Sequence, residues 1–357
     1  MLPFLIILVI LGAVLEILSL RRDPSLLEME YFISKDATEP GKPFTVQSVL
    51  TNKSRIPVSY LAVREIFPES AVVPEGVTTR PAKNGLLVKN IYRMKGLQRK
   101  KPELELTIYK RGVHVFIADS IEFGDFLGFR SITKKIGQRR EIVVYPEELN
   151  DPDISKALSS FCGDVAARRF LIRDPILTAG TREYTGREPM KQIHWLQSAS
   201  RGSLMVREYE YSRQPSACVI LNVDEIGQED SDMDRLCSLT RSVCRELLDI
   251  GAVLDFYTNS MLKRREKRDV WKCEASPGHI STLLDGLARA TYETSVTSER
   301  LLRQALRDSD PDTSFIVVMS ENNTSGAQLV ESLRQMSGRE FLVITDRCSA
   351  PDKTGSP

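Results

Sequence analysis

Between residues 24 and 150 apolar and polar positions alternate with period two. In ELELTIYK, Leu104, Leu106 and Ile108 alternate with Glu103, Glu105 and Thr107, the pattern of a strand with one buried and one wet face. PFTVQSVLTN repeats it with Phe44, Val46, Ser48 and Leu50 and runs into the turn-prone Thr51-Asn52-Lys53-Ser54. VSYLAVREIF, RGVHVFIADS and REIVVYPEE add short strands, separated by Pro, Gly and Asn signals. Residues 24–150 therefore predict a small antiparallel β-sandwich.

From residue 216 the period changes. SACVILNVD, AVLDFYTN, SFIVVMS and EFLVITD are near-continuous apolar runs, as expected of strands buried on both faces. Helical spacing separates them: Leu236, Leu239, Val243 and Leu247 recur between a capping Ser231 and a terminating Gly251. Ile280, Leu283, Leu284 and Leu287 mark a second helix, Leu301, Leu302, Ala305 and Leu306 a third, Leu329, Val330 and Leu333 a fourth. Residues 216–347 predict an α/β domain with a Rossmann-type parallel sheet. Residues 151–215 connect the two domains, with a short helix expected around 154–170, and 348–357 read as a disordered tail.

A third pattern opens the chain. LPFLIILVILGAVLEILSL, residues 2–20, is apolar apart from Glu16, and at 1.5 Å per residue it spans roughly 28 Å, enough for a bilayer core. A cleaved signal peptide is the rival, but neither a basic n-region nor a clear cleavage site is present. Residues 1–20 are thus expected to be a transmembrane anchor. Arg21 and Arg22 follow it and no Lys or Arg precedes it, so the bulk of a single-pass cell-membrane protein is expected in the cytoplasm.

Composition removes several classes. Lys plus Arg, 49, balances Asp plus Glu, 48, and a nucleic-acid binder normally carries a basic excess. The six cysteines (162, 218, 237, 244, 273, 348) form no C-x-x-C and read as reduced thiols. No G-x-x-x-x-G-K-[ST] and no G-x-G-x-x-G occurs, so no nucleotide cradle is predicted. The run from Lys263 to Arg268 suits a solvated hairpin tip between strands 252–259 and 269–274.

Ligands of open α/β sheets bind beyond the carboxyl ends of the strands. SACVILNVD delivers Asp224 there, followed by Glu225, Ile226 and Gln228, and a later strand delivers Ser320, Glu321 and Asn322. A von Willebrand factor A-type Mg²⁺ site would want Asp-x-Ser-x-Ser, since Mg²⁺ demands hard oxygen ligands in near-octahedral geometry. Ile226 and Gln228 occupy both serine positions. The expectation is a degenerate edge without metal, with Asp224, Glu225 and Glu321 as the weak candidates. His114, His194 and His279 are too scattered to form a ligand cluster.

Between the domains lies GTREYTGREPMKQIHWLQSASRGSLMVREYEYSR, residues 180–213. Its Arg and Glu residues can pair bidentately, and MKQIHWLQSASRG reads as a short helix stopped by Gly202, with a strand after it. The segment is expected to staple one domain to the next, with Trp195 buried; a recognition surface for a protein partner is the alternative.

Gly180-x-Arg182-Glu183-Tyr184-x-x-Arg187-Glu188-Pro189, then Ile193-His194-Trp195, Ala199, Arg201 and Leu204-Met205-Val206-Arg207-Glu208, resembles the signature of the domain-of-unknown-function 58 family. The run Glu122 to Phe129, closing in Val144-Tyr145-Pro146, is similar to the region that precedes that signature. The resemblance implies N-terminal transmembrane helices, a β-rich domain and a von Willebrand factor A-like domain. It also implies a non-enzymatic prokaryotic protein without cofactor that works with a MoxR-type AAA+ ATPase in the assembly or maturation of protein complexes. Arg182, Glu183, Tyr184, Arg187, Pro189, His194, Trp195, Arg201, Arg207 and Glu208 are then the signature and interaction residues. The chain departs from the family in having one span where two are usual, Arg187-Glu188 after Gly186 where Asp is usual, and Ser200 between Ala199 and Arg201. The function expected is a membrane-anchored adaptor with no small-molecule substrate. The alternatives are a metal-dependent enzyme or ligand binder around Asp224, or a structural cell-envelope protein.

Overall fold

In a computed structural model of the chain, the alternating segments of the first part pair into two sheets. The structure describes residues 10, 24–124, 131–149, 152–169, 178–185, 190, 193–209, 216–227, 230–263 and 269–346. Two units are seen: residues 1–147 with 284–290, and residues 148–283 with 291–357.

The strands of the first unit are β1 (Leu27–Ile33), β2 (Ala37–Thr38), β3 (Phe44–Asn52), β4 (Val58–Phe67), β5 (Ala71–Val72), β6 (Thr79–Ala82), β7 (Gly85–Met94), β8 (Arg99–Lys100), β9 (Glu103–Ile108), β10 (Gly112–Gly124) and β11 (Ser131–Val144). One sheet runs β1-β3-β9-β5, with β8 also on β3; the other runs β2-β11-β10-β4-β7-β6. Pairing is antiparallel except between β2 and β11. Their inward faces share one apolar core, in which Phe116 meets Phe44 and Phe67 edge-on at 5.8 and 5.3 Å. Leu27, Met29 and Tyr31 of β1, Phe44, Val46 and Ser48 of β3, and Leu61, Val63, Glu65 and Phe67 of β4 are buried. Alternate residues of a strand share one face, so a period of two decides what enters this core. His114 lies inside it with both ring nitrogens engaged, by the Ser70 hydroxyl at 2.9 Å and the Lys110 carbonyl at 2.8 Å.

The second unit contains α1 (Pro152–Arg169), β12 (Thr178–Glu183), α2 (Trp195–Arg201), β13 (Met205–Tyr209), β14 (Ser216–Asn222), α3 (Asp230–Asp249), β15 (Val253–Thr258), β16 (Ser260–Leu262) and β17 (Trp271–Ala275). Along the chain follow α4 (Ser281–Arg289), whose residues from 284 onward belong with the first unit, as does the first residue of β18 (Ala290–Thr294), then α5 (Ser298–Asp308), β19 (Ser314–Met319), α6 (Thr324–Ser337) and β20 (Phe341–Thr345). The main sheet runs β17-β15-β14-β19-β20. Cys218 and Ile220 of β14, with Phe315 and Val317 of β19, pack against Leu301 and Leu302 of α5 and Val330 of α6. Ser231 lies inside α3, which starts at Asp230; Asp230 and Asp232 in its first turn complement the helix dipole.

Two expectations are corrected. Among the described residues no helix is long and apolar enough to cross a membrane. The longest, α3, is amphipathic, interrupted by Asp232, Arg235, Arg241, Arg245 and Glu246, and an unbroken apolar surface is what a bilayer span requires. No described helix supplies the single-pass anchor or supports the cell-membrane localisation that was expected; the stretch 2–20, apart from Ile10, lies outside the described residues. The second correction concerns the α/β domain. In place of a parallel von Willebrand factor A-like sheet the unit forms a mixed one: β14 pairs in parallel with β15 and β19, and β19 with β20, but β17 runs antiparallel to β15. A parallel return needs a crossover of a dozen or more residues, usually helical. The described part of the link from β15 to β17 holds only the short β16, so the chain turns back. Residues 264–268 of the basic run, and the tail from residue 347, lie outside the described residues.

Candidate functional site

The carboxyl end of the main sheet gathers Asn222, Asp224, Asn259, Ser298 and Asn323 from four separate points of the chain. Asn222 ends β14, Asn259 follows β15, Ser298 opens α5 and Asn323 caps α6, its side chain accepting from the Gly326 N–H at 2.7 Å. The Asn259 amide donates to Asn222 at 3.0 Å and to Asp224 Oδ1 at 3.1 Å, while its oxygen accepts from the Val223 N–H at 2.9 Å. The second oxygen of Asp224 accepts from the Ser298 N–H at 2.7 Å and from the Ser298 hydroxyl. That hydroxyl accepts in turn from the Asn222 amide at 2.8 Å, and Asn323 donates to the Asp224 carbonyl at 3.0 Å.

Both carboxylate oxygens of Asp224 are therefore spent inside the fold. Glu225 accepts from the Ser325 hydroxyl at 2.6 Å, and the backbone of Glu321 is tied to Asp346 at 2.9 Å. The three weak metal candidates are not assembled into one ligand set, and no group of three or more His, Cys, Asp or Glu among the described residues is placed to hold a metal. The donors present do not fit a Mg²⁺ ion, which needs several unshared hard oxygens in octahedral array. Sequence reading found Asp224 but not Asn222, Asn259, Ser298 or Asn323. The available signal was a polar residue at or just after each apolar run.

The signature segment forms a hairpin around a helix. β12 pairs antiparallel with β13, setting Arg182 opposite Val206, Thr181 opposite Arg207 and Gly180 opposite Glu208. Tyr184 continues the pairing through its N–H to the Leu204 carbonyl at 2.8 Å, and Glu183, opposite Met205, is exposed. His194 is the N-cap of α2: its ring accepts from the Gln197 N–H at 3.2 Å, and its own N–H reaches the Met205 carbonyl at 2.8 Å. Ser198 pins the helix to the strand, its hydroxyl donating to the His194 carbonyl at 3.0 Å and accepting from the Met205 N–H at 2.8 Å. Gly202 ends the helix at φ 69°, after the exposed Arg201. Arg187 and Pro189 lie outside the described residues.

The helix is shorter than the pattern predicts, and its apolar residues are distributed differently. Ile193 precedes it as a β-bridge to Val206, and Ile193, Met205 and Val206 are buried. Trp195 is 60% exposed, Leu196 81% and Met190 68%. The buried tryptophan expected of a staple is overturned. Only Ser198 of α2 is buried; at 3.6 residues per turn Leu196 falls on the side opposite Ser198, whereas Trp195 lies roughly 60° from it and stays exposed at the start of the helix.

No protein-family model and no curated protein matches the chain. Structural likenesses each cover about a third of it. A cohesin module from a Clostridium perfringens family 33 glycoside hydrolase is 12% identical over 33% of this chain and 96% of its own, at a TM-score of 0.27. A type II cohesin domain from the cellulosome of Acetivibrio cellulolyticus is 10% identical over 32% and 94%, at 0.25. A CARDB domain from Pyrococcus furiosus is 11% identical over 33% and 89%, at 0.22. Likenesses at this level carry no argument about what the chain does.

Proposed function

We propose that the chain is an interaction protein that presents the apolar side of α2 to a protein partner. The partner class is a MoxR-type AAA+ ATPase, by the resemblance of its signature to the domain-of-unknown-function 58 family. One observation carries this reading: Trp195 and Leu196 stand exposed on a helix whose start and inner face are fixed by His194 and Ser198. Tryptophan is the residue type most enriched among energetically dominant interface positions, and a pinned helix loses little entropy on docking. The internal use of Asp224 at the sheet edge supports the same reading, since the place where α/β folds usually bind small ligands is given over to structure. Energy for remodelling a client would come from the ATPase, consistent with a chain that has no phosphate-binding loop.

The test is binding of the full chain to a purified MoxR-type AAA+ ATPase from the same organism, beside melting curves. Trp195→Ala should weaken binding about 30-fold, the effect of losing an anchor worth about 2 kcal/mol, while melting close to the parent. Binding indifferent to both Trp195→Ala and Leu196→Ala would place the contact elsewhere. A large drop in Tm with Trp195→Ala would return the side chain to a packing role.

A further inference from the structure

A polar band crosses the otherwise apolar interior of the first unit. At inward positions of β1, β3 and β4 stand Tyr31, Ser48 and Glu65, where the alternation otherwise supplies Leu, Val, Met and Phe. Tyr31 and Ser48 are cross-strand partners, and the Ser48 hydroxyl donates to Glu65. The Tyr31 hydroxyl is fully buried and has no hydrogen-bond partner. Beside the band lies a cavity of about 110 Å³, lined by Ser48, Glu65, Asn90, Tyr92 and the exposed Glu103, and walled by Val46, Val77 and Leu104.

We propose that this cavity binds an alkylammonium group, the tip of a lysine side chain or a free small amine. Ionised carboxylates accept hydrogen bonds and cannot donate, so Glu65 and Glu103 call for a donor-rich cation and repel anions. Tyr92 in the lining brings an aromatic ring, a group that attracts cations, and the valine and leucine walls suit a methylene stem. The volume is that of about three to four waters at ~30 Å³ each, which suits a butylammonium better than the longer guanidinium side chain. A buried carboxylate is costly unless it is paired, and Ser48 supplies a single neutral hydrogen bond; a bound ammonium completes the pairing. The orphaned Tyr31 hydroxyl belongs to the same buried band and feels the Glu65 charge.

The test is calorimetric titration of the full chain with butylammonium chloride, an end-capped Gly-Lys-Gly peptide, its Nε-acetylated form and sodium butyrate. One cation per chain should bind in the millimolar range or tighter, and acetyl-lysine peptide and butyrate should not bind. Tighter binding by the peptide assigns the site to a partner's lysine; tighter binding by butylammonium assigns it to a free amine. Glu65→Gln, which keeps an acceptor for Ser48, should weaken binding about tenfold or more. Glu103→Gln, at an exposed position where the variant keeps an acceptor for Gln47, should weaken it less and serves if the first variant does not fold. Absence of binding by either cation, equal binding by butyrate, or affinity unchanged in both variants would overturn the assignment.

Discussion

Glu65 is an acid at a position whose strand neighbours are core residues, and burial pushes its carboxyl above the ordinary 4.5, against a smaller opposing effect of the Ser48 hydrogen bond. The folded chain then holds this proton more tightly than the unfolded chain. Its contribution to stability is fully present below the unfolded value and is lost as pH rises through the folded one. Glu65→Gln should therefore melt above the parent at pH 8, with the gap closing toward pH 4; a gap independent of pH would show that the group titrates alike in both states. Asp224 is a carboxylate bonded through both oxygens inside the fold. Asp224→Ala strands the Ser298 N–H and removes one of the acceptors of the Asn259 amide, a loss of about 1.5–3 kcal/mol for hydrogen bonds to a charged group. Melting curves with and without Mg²⁺ should show that drop and no metal effect on the parent. A Mg²⁺-dependent rise in the parent's Tm, absent from the variant, would reinstate a metal site.

Among the elements, two glycines of positive φ separate backbone conformation from close approach. Gly85 opens β7 at φ 136°, and a Cβ there would lie 2.0 Å from the Phe67 carbonyl oxygen at the end of β4. Gly202 ends α2 at φ 69° with nothing within 4 Å of its Cβ position. Gly202→Ala should cost only the left-handed conformation, about 1–2 kcal/mol, whereas Gly85→Ala must also push apart two paired strands and should destabilise more. Melting curves of the two variants check the order, and the reverse order would show that the β4–β7 pairing relaxes freely. The helix-in-hairpin of the signature obeys the same local logic. Ser198 joins helix to strand through backbone groups, so the outer side chains are free of packing duties.

For the molecule as a whole, the balance of 49 basic and 48 acidic residues leaves a net charge of +1 and a pI near 7.6. With so little self-repulsion, colloidal stability falls where the charge vanishes. Light scattering of the full chain across pH should show its strongest self-association near pH 7.6, relieved by moving away on either side; association that ignored pH would point to the exposed apolar residues instead.

What the sequence determined by itself is local: where strands and helices lie, and which residues can carry charge or hydrogen bonds. Period two and period 3.6 are written residue by residue, so ELELTIYK and Leu236, Leu239, Val243 and Leu247 could be read directly. Asp224 was likewise legible, because an acid after an apolar run marks a strand end. The sense of β17 was not, since pairing direction depends on the length and content of a connection and on which edge is open. Nor was the inward Glu65, whose hydrogen-bond partner Ser48 lies on another strand. The fate of Trp195 was decided in the same way: an indole suits a core or an interface equally, and only the folded chain leaves it 60% exposed. The sheet edge followed, because Asn259, Ser298 and Asn323 meet Asp224 through contacts distant in sequence, and no local pattern encodes which distant residues meet.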